Sequence, residues 1–239
     1  MREDLPDCIL YHQPHWSFAG AGSVYRIRFG DDVEKRVEAV RSWFRGQGRK
    51  EFVWWVGSSA TPDDLGDRLI ELGGELYGDD PILASMICTE PPPAADGIEV
   101  RRVETLEGFS AAREISWKDA GFSESQLAEV RATMAERWEQ RQRSGNHAVF
   151  LAYVDDRPVA SAEVVLLPFG GFLSGASTLA EYRGRGVFRA LVRARWDEAV
   201  RRGTPALIVG AGKMSRPILE RIGFEKVADL RLLLDRSGL

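Results

Sequence analysis

The run Ser177-Thr178-Leu179-Ala180-Glu181-Tyr182-Arg183-Gly184-Arg185-Gly186-Val187-Phe188 combines residue types suited to holding an anion. A strand pattern enters a glycine-punctuated turn, and helical periodicity resumes at once. The first amides of a helix lack intrahelical acceptors and carry the positive end of its dipole. Glycine at 184 and 186 removes the side chains that would hold an anion off the backbone. Arginines at 183, 185 and 189 add charge and paired donors. Together these features predict a pyrophosphate cradle. The plainer alternative is a tight strand-helix turn with solvated arginines.

Two other phosphate-binding loops fail on spacing. A dinucleotide fingerprint needs glycine where Arg189 stands, and an acidic residue after a strand that ends in Val209-Gly210. The Gly-Lys-Ser/Thr run of a Walker loop is absent. Cys8, His12 and His15 have the spacing of metal ligands, but a fourth ligand is missing and Pro14 breaks their alignment. No metal is expected.

The elements around this loop follow from composition and period. The 239 residues are 44% hydrophobic and 28% charged with a net charge of −4, which favours folded structure over disorder. No apolar run is long enough to span a bilayer, and the N-terminus leads into no signal-peptide core. Two cysteines make no disulfide framework, so a cytoplasmic protein is expected. The acidic balance speaks against a nucleic-acid partner, and no membrane partner is expected. Pro91-Pro92-Pro93 marks a stiff linker, which divides the chain into domains 1–93 and 94–239. Residues 1–93 hold 10 Lys and Arg against 16 Asp and Glu; the remainder holds 22 against 20, so a phosphate-bearing ligand suits the second domain.

The first domain reads β-α-β-α-β, with strands at 23–29, 51–56 and 81–88 and helices at 31–46 and from Thr61 to Gly73. The second reads β-α-α-β-β-β-α-β-α-β. Its strands fall at 98–103, 148–154, 158–167, 172–179, 206–209 and 227–234, the last closing the sheet. Its helices fall at 105–117, 123–142, 185–202 and 215–222. An α/β (α+β) fold is expected, with a mixed central sheet and flanking helices beside the smaller domain. Leu69 to Glu75 echoes Leu219 to Glu225 at the same point of each order, which suggests a degenerate internal duplication.

Arg183-Gly184-Arg185-Gly186-Val187-Phe188 resembles the [RQ]-x-x-G-x-[GA] signature of the Gcn5-related N-acetyltransferase (GNAT) superfamily. The Glu181-Tyr182 lead-in and the helix ending Ile222-Gly223-Phe224 strengthen the resemblance, which extends over residues 98–234. Residues 1–93 look like the degenerate half of a tandem member. The resemblance implies acetyl-CoA as acyl donor, held by Arg183, Gly184, Arg185, Gly186, Val187 and Phe188 at the pyrophosphate. Ser177, Thr178 and Leu179 would then hold the pantetheine, and an amide near Leu179 would face the oxyanion. Phe188 departs from the small final residue of the signature. Leu219 stands where members often carry a tyrosine acid, and Gly212 where an asparagine is frequent.

Direct attack by a primary amine then needs other helpers. Glu163, in an apolar strand, is the expected base if burial raises its pKa; a solvated carboxylate is the alternative. Ser215 is the expected helix cap and a secondary candidate proton donor to the thiolate. Trp117, Phe122 and Trp138 would line the acceptor side, or else pack in the core. The reading is an N-acetyltransferase acting on a small-molecule or peptide amine, with a homodimer left open through Trp54-Trp55. Its rivals are a catalytically silent acyl-CoA-binding module and, less suited to an acidic chain, transfer from an aminoacyl carrier.

Overall fold

The computed structural model describes residues 1–14, 19–95, 97–119 and 122–236. The first elements are β1 (Arg2–Asp4), β2 (Ile9–His12), β3 (Gly22–Tyr25), α1 (Val33–Gly46), β4 (Phe52–Gly57), α2 (Leu65–Glu71), β5 (Glu75–Leu76) and β6 (Ile82–Cys88). They are followed by β7 (Glu99–Arg102), α3 (Leu106–Asp119), α4 (Glu124–Ala132), α5 (Met134–Ser144), β8 (His147–Val154), β9 (Arg157–Leu167) and β10 (Gly170–Thr178). The chain ends with α6 (Val187–Arg201), β11 (Leu207–Ala211), α7 (Arg216–Arg221) and β12 (Glu225–Asp235).

Two compact units interleave along the sequence. Met1–Ser85, Ala211–Arg216 and the chain from Val227 form one, Met86–Gly210 and Pro217–Lys226 the other. The expected boundary after Pro93 is a single cut, whereas this division crosses the chain several times.

In the first unit the strand order is β1-β2-β3-β4-β12, with β3 and β4 parallel and the other pairs antiparallel. The strand expected to close the second domain's sheet therefore pairs here, Leu232 opposite Trp55 and Leu234 opposite Val53. Val33, Val37, Val40 and Phe44 recur on one face of α1 and are buried against Phe52 and Trp54. Phe44 stacks on Phe52 at 4.1 Å between centroids. Trp54 is buried, and β4 has β3 on one edge and β12 on the other, so this strand presents no free edge to a second copy.

One carboxylate ties this core together. Asp235 is fully buried, accepts both Arg41 Nε (3.1 Å to each oxygen) and Trp54 Nε1 (2.9 Å), and lies 194 positions from Arg41. Asp235→Asn keeps the shape but removes the charge facing Arg41. A loss of about 1–3 kcal/mol is expected in urea unfolding at pH 7; wild-type stability would mean that Arg41 is balanced elsewhere.

In the second unit the order is β11-β10-β9-β8-β7, with only β10 and β11 parallel. Residues 159–164 of β9 are buried without alternation, because helices cover both faces. Ser161 and Glu163 reach α3, where Ser161 Oγ donates to the Ala112 carbonyl (2.9 Å) and Glu163 meets Arg113. On the other face α6 packs: a Cβ on Gly171 would touch both Val164 and Ala199.

Several details differ from the sequence expectation; the helix expected from Thr61, for one, starts at Leu65. The strand expected at 23–29 stops at Tyr25, since Arg26 is left-handed at φ +52°. The hairpin β1–β2 and the short β5 are too brief to show a period. The helix expected at 123–142 is two helices meeting at Thr133, whose hydroxyl donates to the Val130 carbonyl (3.2 Å).

Candidate acyl-donor site

The glycine loop is built as the anion reading requires. After β10 a single 3-10 turn, Ala180–Tyr182, leads to Arg183 in extended conformation. Gly184 (φ +77°) and Gly186 (φ +84°) are both left-handed, a region that penalises any side chain. Gly186 is the N-cap of α6 and supplies no capping side chain, and the first turn holds no acid. Its carbonyl accepts from Ala190 (3.0 Å), so the amides of Val187, Phe188 and Arg189 open the helix without intrahelical acceptors. Val187 is buried and offers only its backbone, while Phe188 is half-buried beside it.

The arginines divide their work. Arg183 Nε donates to the Thr178 carbonyl (3.2 Å) and so braces the loop back onto β10. The exposed Arg185 guanidinium lies 5.3 Å from the Tyr182 ring centroid. Arg189 approaches Gly186, within 3.4 Å of where a Cβ would stand.

Upstream, β10 parts from β11. Their parallel ladder covers only Gly171 opposite Leu207 and Phe172 opposite Ile208. On its other edge β10 follows β9 to Thr178, with a bulge between Ser174 and Ala176 at left-handed Gly175. Leu179 N–H donates to the Val159 carbonyl (3.0 Å), and its own carbonyl accepts from Tyr182 (2.9 Å). The oxyanion role expected near Leu179 is thereby corrected, since both of its backbone groups are engaged. Ladder alternation turns Ser177 towards β9 and leaves Thr178 and Ala176 facing the free edge. Of the three expected pantetheine residues, only Thr178 presents backbone there, and of that the amide alone, since its carbonyl accepts from Arg183.

Glu163 is not the group expected. It is 3% exposed, and Arg113 Nη2 (3.0 Å), Arg141 Nε (2.8 Å) and His147 Nδ1 (2.7 Å) converge on its carboxylate. Burial pushes its pKa upward, as expected. The His147 hydrogen bond and the charges of Arg113 and Arg141 outweigh that and hold the carboxyl well below its ordinary range. It is an ionised anchor rather than a base poised near neutrality. Count alone could not reveal the clamp: a bulge at Ala152/Tyr153 shifts the β8–β9 register and so brings His147 onto the same face.

The remaining expectations separate. Trp117 is buried, and Trp138 pairs with Phe109 at 5.5 Å, which lies under the Arg113 and Arg141 guanidiniums. Trp117 thus packs in the core rather than lining an acceptor wall. Phe122 N–H donates to the Trp117 carbonyl (3.2 Å), while Ala120 and Gly121 lie outside the described residues. Ser215 falls in the first unit, and its hydroxyl donates to the Gly212 carbonyl (3.4 Å). Leu219 is fully buried, so its position faces core. A Cβ at Gly212 would lie 2.5 Å from the carboxylate of Asp80, which also accepts the Lys213 amide and would have to move. Of the metal-like trio, His15 lies outside the described residues, and no group of metal-binding side chains forms among the described ones. No helix among them is long and apolar enough to cross a membrane.

A model of the Acetyltransferase (GNAT) family matches residues 109–224, from α3 through the glycine loop to Phe224. These residues belong to that family. Solved structures share the fold of the GNAT domain and its companion unit. A GCN5-related N-acetyltransferase from Kribbella flavida is 17% identical, with a TM-score of 0.73 over 100% of this chain and 90% of that one. Another from Sphaerobacter thermophilus is 17% identical, with a TM-score of 0.64 over 95% and 75%. A tandem GNAT protein from the clavulanic acid biosynthesis pathway is 16% identical, with a TM-score of 0.64 over 92% and 76%. A search of the curated proteins finds no match.

Proposed function

We propose that the protein transfers an acetyl group from acetyl-CoA to a primary amine of a small molecule or peptide. The observation that carries this reading is two features in series on one strand: β10 leaves β11 beyond Phe172, and the loop after β10 ends in open helix amides. The amides of residues 187–189 suit a pyrophosphate. The outward-facing backbone of Ala176 and the amide of Thr178, whose carbonyl already accepts from Arg183, suit a pantetheine arm paired like a strand.

The thioester supplies an acyl carbon already activated for substitution. A neutral amine attacks that carbon, and a C–N bond forms as the C–S bond breaks with its electron pair on sulfur. The proton released from nitrogen balances the one the thiolate takes up. With Leu219 buried and Glu163 ionised, solvent carries that proton. A thiol pKa of about 8.5 makes sulfur a tolerable leaving group without an acid.

The first unit is read as the degenerate half of a tandem protein. A cytoplasmic location and the lack of nucleic-acid and membrane partners belong to the same proposal; a homodimer is left open. The missing acid and base also favour a second reading, a silent acyl-CoA-binding module. Thiol release from acetyl-CoA with a panel of amines decides between them. Amine-dependent release above hydrolysis is expected; tight binding with no release would favour the silent module.

A further inference from the structure

Val187, Leu191 and Arg195 stand four apart on α6, which places an arginine in an apolar stripe. Arg195 is 1% exposed. Its Nε donates to the Leu191 carbonyl (3.0 Å) and its Nη1 to the Glu163 carbonyl (3.5 Å). Nη2 is buried without a partner, and among the described residues no carboxylate pairs with this guanidinium. Burial pulls its pKa down to about 9, with no opposing charge to restore it, and it stays charged at neutral pH. An unpaired buried charge costs stability, and an apolar residue of similar volume often fits better. Packing therefore does not account for it.

Its position suggests what does. Val149 accepts from Val103 on the β7 side, so Glu163, opposite Val149, directs its backbone towards β10. Glu163 there faces Ser174, at the edge of the bulge. The guanidinium is thus anchored on β9 opposite the β10 bulge, at a level where β10 has already left β11.

We propose that Arg195 is a positioning residue for acyl transfer: it pins the β10 bulge through the Glu163 carbonyl and lends positive charge to the thioester carbonyl oxygen beside it. This rests on the acetyltransferase reading. It deepens that reading by naming a source of electrostatic help that the glycine loop, far along β10, does not provide. The charge acts through low-dielectric surroundings, where a fixed cation is worth more than in water.

The test compares the full-length wild type with Arg195→Met and Arg195→Lys. Infrared difference spectra record the thioester carbonyl band of bound acetyl-CoA, alongside the melting temperature of the free protein and kcat and KM. Wild type should shift the band below that of free acetyl-CoA. Arg195→Met should return it to the free position, lower kcat by about 10–100-fold with KM unchanged, and melt at or above wild type. Arg195→Lys should recover part of the shift. A Met variant with the wild-type band and kcat overturns the inference. So does one that melts lower and loses coenzyme A binding while the Lys variant behaves alike, which would mark a structural pin. If the Met variant does not fold, the Lys variant decides: a band between the wild-type and free positions supports the inference, and any other overturns it. Acetyl-CoA bound to wild type with an unshifted band overturns this inference alone, whereas no binding at all overturns the acetyltransferase reading with it.

Discussion

Gly186→Glu is expected to abolish acetyl-CoA binding while the fold stands. Gly186 adopts φ +84°, where a non-glycine residue costs about 1–3 kcal/mol. Space is not limiting, because a Cβ would meet only the mobile end of Arg189 at 3.4 Å. The new carboxylate would sit beside the open amides of residues 187–189 and pair with that arginine, occupying the place of the pyrophosphate. Affinity should fall by at least about 100-fold, equivalent to about 2.7 kcal/mol. Gly186→Ala, which adds the strain without the charge, should lose less. Calorimetric titration with acetyl-CoA reads both variants, and undiminished affinity in Gly186→Glu would remove the loop from the site.

Glu163→Gln has the second large effect, and it falls on stability. The substitution leaves Arg113 and Arg141, with 13% and 21% of their side chains exposed, facing a neutral amide. Breaking a buried ion pair from one side costs about 3–5 kcal/mol. The folded-state pKa of Glu163 is depressed, so its contribution is fully present above the unfolded value of about 4.3. It is lost as the pH falls towards the lower folded value. The difference between variant and wild type should therefore be largest at neutral pH and shrink in acid. Urea unfolding at pH 7 and below pH 4 measures it. At a temperature where the variant is folded, turnover should fall far less than the roughly 10²–10⁴-fold expected for a removed base. A loss of that size with unchanged stability would restore Glu163 as the base.

The loop was the most legible part of the chain, because glycine and helix-start chemistry are local. The same holds for the helix ends behind the echo between the two halves. Gly74 N–H bonds the Leu69 carbonyl as Phe224 N–H bonds that of Leu219, a shared cap. What could not be read depends on partners far away in sequence. Glu163 seemed a lone acid in an apolar strand, since Arg113 and Arg141 come from helices that only tertiary packing brings to it. Its pKa direction was accordingly reversed. The helical period does place Arg195 on the apolar face of α6, a signal that lies outside the glycine loop. Element order alone points β12 to the second half, whereas its ladder with β4 is set by pairing across about 180 residues of chain.

The central claim is that the glycine loop and the free edge of β10 hold coenzyme A. Thermal unfolding with acetyl-CoA, free coenzyme A and NADPH in parallel tests it most directly. At ligand 100-fold above Kd the fold gains about 2.7 kcal/mol, a rise in melting temperature of roughly 5–11 °C. A rise with both coenzyme A forms and none with NADPH is the predicted result. No rise with any of the three would contradict the account and leave the glycine-arginine segment as only a turn.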